Sequence, residues 1–392
     1  MRTRATVQFV GLSGYEYPHT RVRCYQFADA LRHHGYRTRV LSFRDRMAPS
    51  LSEAAMYGLS DARRLRLVLQ GALRLALRPH ALLYVQKLHY HALAALTVHR
   101  MLGAPFVLDY DDWEVGTDPY GVPLFCGFKD PRLTRNLFGS CDPERILERV
   151  ARRARLVVCA SHFLQDRLSE FTRRVAYVPT GVDTARFLPQ PEHHDGVVIL
   201  WNGVVWGEMI RDNVLMLLRS FPAVRQACPE ARVRIIGRGA FMEEVRQATV
   251  DLEISPYVEF PGWIQPDAMP AELARADIGV MPVAHDDAWT TAKSPTKLFE
   301  YMAAGLGVVV MGRGEAAHVV KHQASGLVVD DERGFAAHLL ALATNAVLRR
   351  SLGAAARIRV EECFSLAVLG AELAQHLRRY WRGGGGRLVE AA

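Results

Sequence analysis

The stretch 292–310 reads AKSPTKLFEYMAAGLGVVV, and it gathers the residue types that hold an anionic, hydroxyl-bearing ligand. Pro295 suits the first turn of a helix, with Ser294 as its N-cap. Thr296 follows, then Lys297, Glu300 and Ala304 fall on adjacent turns, and Gly305 ends the helix before an apolar strand. The leading amides and positive dipole end of such a helix favour a phosphate. Lys297 adds a full positive charge, and Glu300 offers two acceptor oxygens suited to ribose hydroxyls. An ordinary surface helix with an i,i+3 Lys–Glu pair would carry the same spacing.

A second group of reactive side chains lies in the first half. DYDDWE (109–114) sets Asp109, Asp111, Asp112 and Glu114 at the end of a strand. Asp111 and Asp112 are candidates to orient an acceptor hydroxyl or take its proton. Asp109-Tyr110-Asp111 also spells the DxD of a Mg²⁺ or Mn²⁺ site, and capping of the next helix is the plain structural use. VQKLHYHALA (85–94) places Lys87, His89 and His91 after another strand, and Lys87 and His89 join the catalytic candidates. In GLSGYEYPHTRVR (11–23), Gly14 would let the backbone approach a diphosphate, although a simple turn explains it too. WNGVVWGEMIRDN (201–213) offers Arg211 as a diphosphate-binding cation. His285, Asp286 and Asp287 precede the 295–304 helix in what reads as a solvated loop.

These residues all follow short apolar runs, which fixes the elements that must carry them. Strands are expected at 5–12, 36–43, 81–86, 105–110 and 155–161, alternating with helices at 20–34, 90–102, 143–153 and 162–170. This is the grammar of a parallel sheet covered on both faces, which binds ligands at the carboxyl ends of its strands. It stops at 175–196, where prolines, glycines and a polar tail predict a linker. It restarts with strands at 196–203, 231–237, 257–263, 277–283 and 307–312, with helices at 213–227 and 295–304. A long helix near 366–381 precedes a Gly383–Gly386 run. The domains are therefore drawn as 1–180, a linker at 181–196, and 197–364. The helix 365–382 is expected to pack back on the first domain, and 383–392 to be a flexible tail.

At 392 residues, 49% hydrophobic and 23% charged, the chain is an ordinary globular one. Six scattered cysteines with no CxxC predict reduced thiols and no metal centre. No run of about 18 apolar residues exists, and the start lacks a signal-peptide pattern, so a cytoplasmic enzyme is expected, with peripheral membrane contact as an option. Residues 1–190 carry 28 Lys and Arg against 17 Asp and Glu, while the rest is slightly acidic. An anionic membrane or acceptor fits that surplus, and so does a basic surface with no partner. Nucleic acid is excluded as a partner for want of any recognition motif. The stretch 61–78, DARRLRLVLQGALRLALR, alternates Leu65, Val68, Leu69, Leu73 and Leu77 with five arginines. It suits an interfacial helix or one packed on the sheet with snorkelling arginines.

SPTKLFEYMAAG resembles the donor-binding helix of the family 4 glycosyltransferases, the retaining GT-B group. VPTGVDTARF, DYDDWE and RLVVCASHFL match in the family's order, over nearly the whole chain to about residue 330. The resemblance implies a GT-B fold, two Rossmann-like doubly wound domains facing each other across a cleft. It implies transfer of a hexose-type sugar from a nucleoside-diphosphate sugar to an acceptor hydroxyl, with retention and without a metal or other cofactor. Glu300 is then the ribose ligand and Lys297 faces the diphosphate, with Gly14, Arg211, Ser294 and Thr296 completing the donor site. Two departures stand out: Ala292 replaces the family's first glutamate, and only Arg211 remains of two cations after the linker. An epimerase or hydrolase of this fold, or a degenerate scaffold, therefore stays open beside the transferase.

Overall fold

The computed structural model describes residues 5–121, 123–189 and 196–381. The chain divides into two compact units. The first takes the chain through Thr180, together with Ala292–Ser294 and the stretch from Leu366 onward. The second takes Gly181–Thr291 and Pro295–Ser365. Part of the expected linker, 190–195, and the expected tail, 383–392, lie outside the described residues.

The first unit is built on six parallel strands: β1 (Thr6–Gly11), β2 (Arg37–Ser42), β3 (Leu82–Gln86), β4 (Phe106–Tyr110), β5 (Leu156–Cys159) and β6 (Val175–Tyr177), in the order β2-β1-β3-β4-β5-β6. β3 and β4 are buried along their whole length, so they show no polar alternation and read as continuous apolar runs. Their alternate side chains feed two layers: Leu83, Val85 and Leu108 pack on one face, and Leu82, Tyr84 and Val107 on the other. β6 corrects the sequence reading, which ran the linker back to residue 175. It pairs with β5 through Val157↔Val175, but three residues are too few for a periodicity to register.

The second unit repeats the plan with β7 (Val198–Val204), β8 (Arg232–Arg238), β9 (Val258–Gly262), β10 (Ile278–Met281), β11 (Gly307–Met311) and β12 (Leu327–Val329), ordered β12-β11-β10-β7-β8-β9. Its helix after β7 runs Glu208–Ala227, starting five residues before the sequence suggests, because Gly207 takes an extended conformation and acts as N-cap. At the carboxyl edge the backbones of β7 and β8 close in on each other. A Cβ on Gly237, at φ +151°, would sit 1.9 Å from the Gly203 carbonyl oxygen, so only glycine fits.

Two helices bear on later arguments. Leu366–Tyr380 inserts Leu369, Leu373, Ala374 and Leu377 into the apolar layer that also holds Phe9, Phe27 and Tyr84. Gly370 meets Ala30 so closely that a Cβ would stand 2.6 Å from the alanine methyl. Asp61–Ala76 departs from its expected facing. Its buried side is Arg64, Leu67, Val68, Gly71 and Leu75, whereas Leu69 and Leu73 point to solvent. The buried arginine donates from Nη1 and Nη2 to the carbonyls of Gly127 and Tyr57, at 2.6 and 2.5 Å.

Candidate functional site

Strand order locates the binding crevices of the two sheets. In the first, the chain moves outward from β1 to β2 and then crosses back to β3. In the second it moves from β7 through β8 and β9 and crosses back to β10. The carboxyl ends of β1 and β3, and of β7 and β10, are therefore topological switch points, where the flanking loops part and leave a crevice. Gly14, Lys87 and His89 fall at the first of these places and Arg211, Lys297 and Glu300 at the second, while Asp111, Asp112 and Glu114 follow the neighbouring strand β4.

In the second unit the helix Thr296–Ala303 follows β10. Leu298 and Phe299 donate their amides to the Pro295 carbonyl, leaving those of Thr296 and Lys297 at the open first turn. Pro295 itself is the N-cap, with φ −82° and ψ 76°. Ser294 is not: its hydroxyl accepts the Thr180 amide at 2.9 Å within the first unit. The expected cap fails because the Ser294 hydroxyl is spent on the Thr180 amide and Pro295, at ψ 76°, has not yet entered the helical region. Lys297 Nζ lies 4.3 Å from the centre of the Trp201 ring, and a Cβ on Gly203 would come within 3.0 Å of it. Burial pushes this ammonium down to about 8, with Glu300 opposing the shift. Glu300 is buried one turn on. Tyr301 locks the end of β7 to the helix: its hydroxyl donates to Asn202 Oδ1 at 2.5 Å and accepts the Asn202 amide at 3.0 Å.

Arg211 stands differently. Its Nε and Nη2 donate to Asp212 Oδ1 at 3.0 and 2.9 Å, and Nη1 to Glu244 Oε2 at 2.7 Å. A guanidinium committed to two carboxylates must break those pairs to grip a diphosphate. The loop before the helix is exposed at Asp286, as expected, and is also pinned by side-chain contacts. His285 pairs with Asp212 at 2.8 Å, Asp286 with Arg313 at 2.6 Å, and Asp287 accepts the Trp289 and Thr290 amides. Ala292 is buried, and its carbonyl accepts the Ser161 hydroxyl at 2.7 Å.

In the first unit one network joins the loops after β1, β3 and β4. Lys87, held at φ +63°, donates to Asp112 at 2.6 Å and Glu114 at 2.7 Å. His89 Nδ1 accepts the Cys126 amide at 3.1 Å, which leaves the ring proton on Nε2, 3.1 Å from Glu114. Burial alone would raise Glu114, but His89 and Lys87 outweigh it and hold it near 2. Among the described residues, Asp111 receives only the Gln86 side-chain amide, 3.2 Å from each oxygen. Burial lifts it to about 7 against the pull of Lys87. Among the four catalytic candidates, Lys87, His89 and Asp112 are tied into this network, and Asp111 is the carboxylate poised to trade a proton near neutrality.

Two sequence readings are redirected. Asp109 of the DxD is bound side-on by Arg23, with contacts of 2.6, 2.9 and 3.1 Å, and Arg23 also donates to the Val178 carbonyl at 2.6 Å. It is an internal anchor and points to no ligand. At Gly14, the space a Cβ would need is filled by the Asp45 carboxylate, 2.2 Å from that position. That carboxylate accepts the Tyr15 amide at 2.8 Å and the Tyr25 hydroxyl at 2.6 Å. Gly14 is thus required by the close packing of Asp45 against its backbone. Trp201, Gly203, Gly237 and Tyr301 were not singled out from sequence. Only the glycines of WNG and IIGRG, both ending strands, carried a readable signal.

Comparison with known proteins extends these observations. A model described as Glycosyltransferase Family 4 matches residues 20–186, and one described as Glycosyl transferases group 1 matches 197–345. The GDP-mannose-dependent alpha-(1-6)-phosphatidylinositol monomannoside mannosyltransferase of Mycobacterium tuberculosis is 29% identical over 254 residues, 59% of this chain and 64% of that one. A Corynebacterium glutamicum enzyme, described as acting on the monoacylated form, is 29% identical over 217 residues, covering 52% and 55%. The matched region therefore spans less than two thirds of these relatives. Among solved structures, sucrose-phosphate synthase from Thermosynechococcus elongatus superposes with a TM-score of 0.71 at 13% identity, covering 96% of this chain and 98% of that one. Anabaena HepE, solved with UDP, gives 0.64 at 15%, covering 95% and 99%.

Proposed function

The chain belongs to the family 4 glycosyltransferases of the GT-B fold, and on that premise we propose that it transfers a hexose-type sugar from a nucleoside diphosphate to an acceptor hydroxyl with retention. The observation that carries the donor side is the helix Thr296–Ala303 at the β7/β10 switch point, with Lys297 and Glu300 one turn apart. Glu300 accepts from the ribose hydroxyls. Lys297 and the open amides of the first turn offset the charge that builds on the departing diphosphate. Arg211 contributes only by exchanging its carboxylate partners. On the acceptor side Asp111 takes or shares the hydroxyl proton, while Gln86, Lys87, His89, Asp112 and Glu114 hold the loops that present it. The mycobacterial relatives motivate GDP-mannose as the first donor to test and a lipid-borne saccharide as the first acceptor.

These roles need no divalent cation, because a lysine and helix amides meet the diphosphate. A second reading, a catalytically degenerate scaffold, draws on two observations: Ala292 carries no carboxylate, and Arg211 is already paired. Thermal-shift titration with a panel of nucleoside diphosphates and their sugars tests donor binding, since a ligand that binds only the folded state raises Tm. Product analysis with and without acceptor then separates transfer from epimerisation and hydrolysis. Binding without turnover of any donor would leave the scaffold, and no binding at all would remove the donor assignment.

A further inference from the structure

The helix Asp61–Ala76 has two apolar stripes, and only one is used by the fold. Leu67, Val68 and Leu75 pack inward, with Gly71 so close to its neighbours that a Cβ would stand 2.7 Å from the Phe43 ring and 3.1 Å from the Ala94 methyl. On the outer side Leu69, Leu73 and Leu77 are 63%, 71% and 76% exposed. They recur every four residues, so they line up along one ridge.

The next helix, Ala92–Leu102, follows β3 as Asp61–Ala76 precedes it. Both run antiparallel to the strands of one parallel sheet and hence parallel to each other. Their carboxyl ends therefore lie at the same rim, where Met101 and Leu102 add side chains 75% and 51% exposed. Five of the twelve large apolar side chains exposed among the described residues thus fall on two adjacent helices. A patch of this kind on an otherwise polar surface marks an interaction site.

The surrounding charge identifies the partner. Arg63, Arg66, Arg74 and Arg100 are exposed on these helices and Arg78 is half-exposed, with exposed Arg46 nearby, since Arg74 donates to its carbonyl at 3.1 Å. None of these guanidinium groups forms an ion pair among the described residues. From 62 to 102 the sequence contains no aspartate or glutamate. A leucine ridge flanked by unpaired arginines, with no acid to repel phosphate, matches an anionic lipid surface, which takes up apolar side chains between headgroups while its phosphates meet the guanidinium groups. We propose that this face, carried by Leu69, Leu73, Leu77, Met101 and the adjacent arginines, docks the protein on anionic lipid bilayers. The docking deepens the lipid-borne acceptor of the proposed function but rests on that reading only for its purpose, since the surface binds lipid whether or not sugar is transferred.

The test is co-sedimentation of the full chain with phosphatidylcholine vesicles containing 0 or about 30% phosphatidylglycerol, at low and physiological salt. Binding is expected to the anionic vesicles, and to fall with salt as charges beyond a Debye length are screened. Replacing Leu69, Leu73 and Leu77 together by serine should weaken it at least about tenfold. Arg66→Gln and Arg74→Gln should each cost about fivefold, the equivalent of roughly 1 kcal/mol per charge. Because the leucines point to solvent, circular dichroism and Tm should stay at wild-type values. Glu300→Gln should bind vesicles unchanged, so loss of donor binding and loss of lipid binding are read separately. Equal binding to neutral and anionic vesicles, or full retention by the triple serine variant, would overturn the proposal. So would a wild-type dimer that the triple variant converts to monomer with vesicle binding intact, which would make the ridge a contact between copies.

Discussion

At the scale of single residues, Lys297 and Glu300 carry the donor assignment and make it measurable. Glu300→Gln keeps the shape and removes the charge, so donor affinity should fall by roughly 1.5–3 kcal/mol, about 10–100-fold. Calorimetric titration checks this, with Tm close to wild type as the control. Lys297→Ala should lower the single-turnover rate more than the affinity, because its charge counts most as the leaving group forms. The depressed Lys297 gives a pH signature with a definite sign. A bound diphosphate favours the ammonium form, so binding above pH about 8 takes up a proton. Donor affinity should then fall as pH rises past 8, by up to about tenfold per unit, while Lys297→Arg should stay flat because arginine remains charged. Asp111, near 7, should set a limb of the pH–rate profile that Asp111→Asn abolishes and that Asp112→Asn keeps but moves to lower pH, because the Asp112 charge helps to raise Asp111.

Among elements, the Arg23–Asp109 pair and the helix Leu366–Tyr380 show how the first sheet is held. Both ionic side chains are fully buried, so removing one strands the other without water. Arg23→Met should destabilise the protein by about 3–5 kcal/mol in urea unfolding, and Arg23→Met combined with Asp109→Leu should recover most of the loss. The pair lay hidden in the sequence: Arg23 looked like one of many basic residues and Asp109 like half of a metal motif. They stand 86 positions apart, and no local pattern joins them. The carboxy-terminal helix was legible from its own apolar spacing. Its docking depends on Gly370 against Ala30, so Gly370→Val should lift it off and lower Tm, with the helix itself retained by circular dichroism.

For the molecule as a whole, the charge surplus of the first half and the proposed independence from a metal are open to bulk experiments. Turnover in EDTA should stay within a few-fold of turnover in Mg²⁺. A collapse that Mn²⁺ restores would reverse the donor-site chemistry proposed above. The arginine-rich half splits on inspection into two populations. Arg23 and Arg64 are buried and serve backbone carbonyls or Asp109, and the outward arginines of the Asp61–Ala76 ridge form no ion pair among the described residues, Arg74 donating only to the Arg46 carbonyl. A net charge counts both alike, so composition pointed to an anionic partner without saying which arginines face it.

The sequence by itself determined the order of ten of the twelve strands among the described residues, because strands buried on both faces must be continuous apolar runs, and missed the three-residue strands β6 and β12. It also located the helix proposed to bind the donor, since Pro295, Lys297, Glu300 and Gly305 lie within eleven residues and their spacing is a local property. What only the tertiary structure decided is which charged groups are spent on one another. Arg211 goes to Asp212 and Glu244, Lys87 to Asp112 and Glu114, and Arg23 to Asp109, while Gly14 yields its space to Asp45. Arg211 takes its chain neighbour Asp212 as well as Glu244 from the following helix, whereas the partners of Lys87 and Arg23 are set by strand order across the sheet, which brings together groups 25 to 86 positions apart.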